Sequence, residues 1–165
     1  MEHTSAVIRL SDYMLSQDIP CNHGVLEDQI AEFEHHHKVR IPADLRHYFM
    51  TMNGTAGDYA YGAIRFWDLD EFKSVAEKKG NTRPNSSVIL TAYHELFNGA
   101  ECYFIFADFL YDMQLYAIHL SSCENVEANQ IIMLDGSAPI EVADTFSAFV
   151  DTYIESPERL RLLID

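Results

Sequence analysis

The sequence predicts an α+β domain whose sheet is largely antiparallel. Three observations carry this expectation. Apolar residues recur at helical spacing between Val25 and Met52, strand-like segments follow one another between Gly62 and Val142, and helical spacing returns after Asp144. Helices and strands grouped in blocks, rather than alternating along the chain, favour strands joined directly to one another. The 165 residues amount to one ordinary domain, and no repeat, low-complexity tract or Pro/Gly/Ser-rich linker divides them.

Residues 1–24 precede the clearer pattern. Ala6-Val7-Ile8-Arg9-Leu10 fits either a short strand or the start of a helix leading to Met14 and Leu15, with a break at Pro20 and Gly24. From Val25 the period is helical: Val25, Leu26, Gln29, Ile30, Phe33 and His37 share a face that excludes Glu27, Asp28, Glu32 and Glu34. Pro42 suits the first turn of a second helix, where its missing N–H costs nothing. Leu45, Tyr48, Phe49 and Met52 form the stripe of that helix, and Asn53-Gly54 ends it with residues that tolerate a left-handed backbone.

Gly62–Trp67 reads as a strand, and Asp68 as the cap of a helix carrying Leu69, Phe72, Val75 and Ala76. Further strands are expected at Ser87–Tyr93, Glu101–Ala107, Met113–Leu120 and Gln130–Leu134. Asp135-Gly136 is a hairpin turn, with Ala138–Val142 as the returning strand. Asp144 then caps a helix that turns Phe146, Phe149, Val150, Tyr153 and Ile154 inward, and Ser156-Pro157 starts a short terminal helix.

Charge is the strongest compositional feature. Twenty-six acids against eleven bases leave a formal charge of −15. No Lys or Arg occurs between Arg83 and Arg159, where twelve Asp and Glu fall. Nucleic-acid affinity depends on cations that release counterions from phosphate, so this balance disfavours direct binding of nucleic acid. It serves either solubility alone or the attraction of a basic partner. Cys21, Cys102 and Cys123 form an odd set without a C-x-x-C pair and read as reduced thiols of a cytoplasmic protein. Met1-Glu2-His3-Thr4 lacks the basic start of a secretory signal, and no stretch has the length of a membrane span.

Several fragments, in order, resemble one known family. They are Ile30-Ala31-Glu32-Phe33-Glu34, then Val39-Arg40-Ile41-Pro42 through Tyr48-Phe49, and Asn53-Gly54. Trp67 with the acidic segment after it follows, then Phe104-Ile105-Phe106-Ala107-Asp108, Tyr116-Ala117-Ile118 and Val142-Ala143-Asp144 through Phe149. Together they resemble the SUKH superfamily, the Smi/Knr-type domains, over about residues 25–155, with Ile41 where Leu is usual before the proline. The resemblance implies one such domain over residues 1–165, with 1–24 as an N-terminal extension and five or six strands flanked by helices. It also implies a bacterial immunity protein that binds and neutralises a toxin, often a nuclease. It brings no catalytic set. Its matched residues are structural: Pro42, Asn53 and Gly54 at helix ends, with Phe33, Phe49, Trp67, Phe106 and Phe149 as core.

The chemical candidates are few. His35-His36-His37 points in three directions on a helix, about 100° apart, so the run does not converge on one metal. Asp108 and Asp112 flank Phe109-Leu110-Tyr111, which reads either as a plain turn between strands or as a binding loop that pairs aromatic bulk with negative charge. Tyr59 and Tyr61 either close over the core or face a partner. Glu124 and Glu127 decorate exposed turns and join the candidate partner surface through their charge. No nucleophile triad, phosphate loop or dinucleotide fingerprint occurs. The expectation is a non-catalytic domain without cofactor or metal that binds a protein with a basic surface, a toxin before any other, without membrane or nucleic acid. A regulatory or scaffold domain of the same fold is the alternative.

Overall fold

A computed structural model describes residues 4–56, 64–80, 99–110, 112–120, 129–136 and 138–161. The alternative left open at the N-terminus resolves to a helix, α1 (Ala6–Ser16). Ser5 has an extended backbone, and its hydroxyl accepts a hydrogen bond from the Ile8 amide at 3.3 Å, satisfying one of the helix's first free donors. Ala6, Val7, Leu10 and Met14 form its buried stripe.

Helix α2 (Glu27–His37) starts where the Gln29 side chain accepts from the Leu26 amide at 2.9 Å, and it stops at Lys38 in a left-handed conformation. Only Ile30 on it is fully buried. Leu26, expected on the inward face, is 72% exposed, because it lies in the extended residue ahead of the helix where helical spacing does not apply. Helix α3 (Ala43–Thr51) buries Leu45, Tyr48 and Phe49, and Pro42 is the extended residue before its first turn.

The expected helix after Asp68 is replaced by three smaller pieces. Asp68 closes a turn by accepting from the Glu71 amide at 2.8 Å. Lys73–Ser74 then form strand β2, and α4 (Val75–Gly80) follows. A two-residue ladder draws these backbone groups into the sheet, which interrupts the helical register. Ser74 and Glu77 cap α4 reciprocally, with the Glu77 amide donating to the Ser74 hydroxyl at 3.1 Å and the Ser74 amide to the Glu77 carboxylate at 2.8 Å. Burial works against the Glu77 charge, yet the Ser74 donors and the His37 ring hold its pKa below the usual range.

The sheet is antiparallel throughout the described strands. Its order is β1 (Ile64–Phe66), β3 (Tyr103–Phe109), β4 (Gln114–His119), β5 (Ile131–Leu134) and β6 (Ile140–Ala143), with β2 pairing β3 beside β1. The hairpin expected at Asp135-Gly136 joins β5 to β6, with Gly136 at φ 95°. The strand expected at Ser87–Tyr93 lies outside the described residues. Helix α5 (Phe146–Glu155) is capped by Thr145, whose hydroxyl accepts from the Ala148 amide at 3.1 Å, rather than by Asp144. The extended backbone falls at Thr145, so its side chain is the one that faces the free amides. Helix α6 (Pro157–Arg161) follows.

One face of the sheet packs on α1, α3 and α5 through Phe104, Phe106, Tyr116, Ile118, Ile131 and Met133. Phe106 meets Phe149 edge-on at 5.0 Å, and Tyr116 meets the same ring at 5.1 Å. The other face buries Tyr103, Ile105, Leu115, Ala117, Ile132 and Leu134 with Trp67 and Val75. Burying each large side chain, aromatic or aliphatic, contributes roughly 1.5–3 kcal/mol, so the two buried faces together carry much of the stability. The reduced-thiol reading is corrected at Cys102, which is disulfide-bonded, whereas Cys21 is free. A disulfide depends on closeness in space that cysteine spacing does not show, and cysteine usage therefore no longer argues for a reducing compartment.

His119, at the end of β4, is buried, and neither ring nitrogen has a hydrogen-bond partner among the described residues. Burial pushes its pKa down. The unfolded chain therefore binds a proton that the folded chain resists, and the contribution of His119 is intact above pH ~6.5 and erodes as pH falls below it. H119L is expected to raise stability by about 1–2 kcal/mol by removing unsatisfied polar atoms. Denaturant midpoints at pH 8 and pH 5.5 check this, since the variant should lose less on acidification than the natural chain.

Gly54 closes α3 at φ 89°, and a Cβ there would lie 2.8 Å from the Asp68 nitrogen and 2.9 Å from the Trp67 carbonyl carbon. Gly99 has a similar φ of 101°, but a Cβ there would meet nothing within 4 Å among the described residues. G99A should cost about 1–3 kcal/mol for backbone conformation, and G54A distinctly more. Urea unfolding of both variants tests the difference, and equal losses would remove the close-approach argument.

Candidate partner-binding surface

The sharpest feature of the molecule sits at the turn between β3 and β4 and in the niche beneath it. Antiparallel pairing sets Arg65 on β1 directly opposite Asp108 on β3. Asp108 is fully buried. Its carboxylate accepts from the Trp67 indole Nε1 at 2.6 Å and from Arg65 Nε at 3.2 Å. Arg65 also donates to Glu71 at 2.7 Å. Lys78 from α4 reaches over the Trp67 ring at 5.0 Å and ends on Asp112 at 2.8 Å, while the Arg65 guanidinium lies 5.6 Å from the same ring. A small cavity of about 140 Å³ remains among Arg65, Trp67, Glu71, Lys73 and Lys78.

The niche is held from behind by α3. The Tyr48 hydroxyl donates to the Trp67 carbonyl at 2.7 Å, and burial pushes the Tyr48 pKa well up, so it remains a donor. Asn53 accepts from the Leu69 amide at 2.9 Å, which fixes the turn that delivers Glu71.

Above the niche the chain turns over Leu110 and Asp112, both with left-handed backbones, at φ 43° and 66°. A leucine rarely adopts that conformation, and the structure around it must supply the difference. Lys78–Asp112 and the Asp112 amide facing Asp108 anchor the turn. The tip then presents Leu110 and Met113, which are 37% and 59% exposed.

This corrects the acidic-aromatic loop expected at Asp108–Asp112. Asp108 and Phe109 are the last residues of β3 and are buried, because the strand runs two residues beyond the expected Ala107. Asp112 is half-buried and bound to Lys78, so the charge expected to face a partner is spent on holding the turn. Tyr59, Tyr61, Tyr111, Glu124 and Glu127 lie outside the described residues. Leu110 lies inside the loop expected from the sequence, whereas Met113 was expected to open the next strand and is exposed instead, because β4 begins at Gln114.

The three histidines are used differently. His37 stacks on Phe33 at 4.1 Å, with Nδ1 3.1 Å from the Phe33 carbonyl and Nε2 3.2 Å from Glu77, so it ties α2 to α4. No group of three metal-ligating side chains occurs among the described residues. None of the described helices is long and apolar enough to cross a membrane.

Residues 24–152 match the SMI1 / KNR4 family (SUKH-1). The chain belongs to this family. The SUKH-1 match takes in α2 through most of α5 and contains the whole Trp67 niche and the β3–β4 turn. No curated protein matches the chain. Helix α1 precedes the SUKH-1 match yet contributes Val7, Leu10 and Met14 to the same core.

Removing the Asp108 carboxylate leaves the Trp67 N–H unpaired and Arg65 with one partner fewer. D108A is expected to lose about 2–4 kcal/mol, less than for a fully enclosed pair because Arg65 keeps Glu71 and some solvent. D108N should lose less, since its amide oxygen still accepts from the indole. Equilibrium unfolding of the two variants, with Trp67 fluorescence as the probe, measures both effects.

Proposed function

We propose that this SUKH-1 domain is a non-catalytic immunity protein that binds and neutralises a toxin of basic surface in the cytoplasm. Family membership supports the class of role, and the anchored turn with Leu110 and Met113 supports a binding mode. Exposed apolar side chains beside an anchored turn lose less entropy on docking than free ones and suit the centre of an interface. The chain's net charge of −15 attracts a basic protein at long range, and that attraction is the part of the interaction that salt weakens. A nuclease fits this description, because its substrate groove must attract phosphate.

Co-expression with the product of a neighbouring toxin gene tests the proposal. The expected result is co-purification and loss of toxicity, with affinity falling as salt rises. The L110E/M113E double variant should bind about 10–100-fold more weakly, in the range of a lost interface centre, while its melting temperature stays unchanged. Absence of binding and protection at every salt concentration would overturn the immunity role. Binding unaffected by the double substitution would overturn the assignment of the tip.

A further inference from the structure

The sheet ends at β6, which among the described strands hydrogen-bonds only to β5. Its outer edge therefore offers a row of backbone donors and acceptors. A concavity of about 410 Å³ runs beside this edge, between β6 and α5, lined by Glu141, Val142, Ala143, Asp144, Ala148 and Thr152. The two sides of the edge differ. Ile140, Val142 and Ala143 pack toward the helix-covered core. Glu141 pairs across from Ile132, which belongs to the opposite face, and is exposed there. Asp144 is exposed at the end of the strand. Among the described residues neither Glu141 nor Asp144 has an ion-pair partner, and no Lys or Arg occurs in residues 84–158 to supply one locally.

We infer that the β6 edge captures an extended segment of another protein as an added strand, one that alternates small apolar residues with lysine or arginine. The period of two in a strand sends alternate side chains to opposite faces. The apolar set would enter the concavity over Ala148 and Thr152, and the cationic set would meet Glu141 on the other side, with Asp144 at the end. Backbone pairing supplies the affinity, and the side-chain alternation supplies the selectivity. A second copy of this chain is a poor occupant, because edge-to-edge pairing would bring Glu141 and Asp144 of both copies together. The inference stands apart from the toxin reading, since it concerns a different surface and any protein with such a segment.

The test uses the full chain, labelled with ¹⁵N, and a ten-residue peptide of alternating valine and lysine. A peptide of alternating valine and glutamate is the control. The lysine peptide is expected to shift the amides of Ile140–Ala143, with affinity falling about tenfold or more from low to high salt, and the glutamate peptide to shift none. E141K should weaken the lysine peptide about tenfold at unchanged melting temperature, and V142P should abolish the shifts by removing a backbone donor. Equal binding of the two peptides, shifts confined to other residues, or an unaltered affinity in E141K would overturn the inference. These outcomes are independent of whether any toxin is neutralised.

Discussion

Strand β3 is bonded along both edges, to β1 and β2 on one side and to β4 on the other, and all seven of its residues are buried. Any polar group placed on it must find its partners inside the protein, because an unpaired buried charge costs several kcal/mol. Asp108 is that group. Its needs bring Arg65 across from β1 and orient the Trp67 indole, and the indole in turn gives Lys78 a ring to lie over. The same Lys78 ammonium ties down the turn that follows. A single buried carboxylate thus connects the centre of the sheet to the shape of an exposed tip.

The cations follow the same logic across the fold. Arg9 joins α1 to α5 through Asp151 and Glu155, and Arg46 joins α3 to α2 through Glu27 and Glu34. Arg65 and Lys78 serve the Trp67 niche. In a chain with eleven bases, these four act as internal ties, and each consumes an acid. The acidity of the surface is what remains after that pairing. Glu141 and Asp144 on the β6 side belong to this remainder, whereas Asp108 and Asp112 do not.

Much of the fold was legible because strong periodicity and turn chemistry act locally. The stripes of α3 and α5, the Asn53-Gly54 stop and the Asp135-Gly136 hairpin all rest on residues within one or two turns of one another, whereas of the expected α2 face Leu26 and Gln29 are exposed. The errors arose where a distant segment decided the outcome. Lys73 and Ser74 leave the helical pattern because β3 bonds them, and β3 is some thirty residues away. The candidate site was harder for the same reason. That Asp108 lies opposite Arg65 depends on strand register, and register is not written in either segment alone. Leu110 and Met113 have the composition of core residues, and only the left-handed turn between them turns them out.

Helix α1 stands outside the stretch that defines the family, but it is not an appendage. Leu10 and Met14 are fully buried beside Tyr153, and Arg9 fastens the helix to α5. A fragment trimmed to residue 24 would keep every family landmark and lose one wall of the hydrophobic interior. The boundary recognised by sequence similarity and the boundary required for a closed fold are therefore different places in this chain.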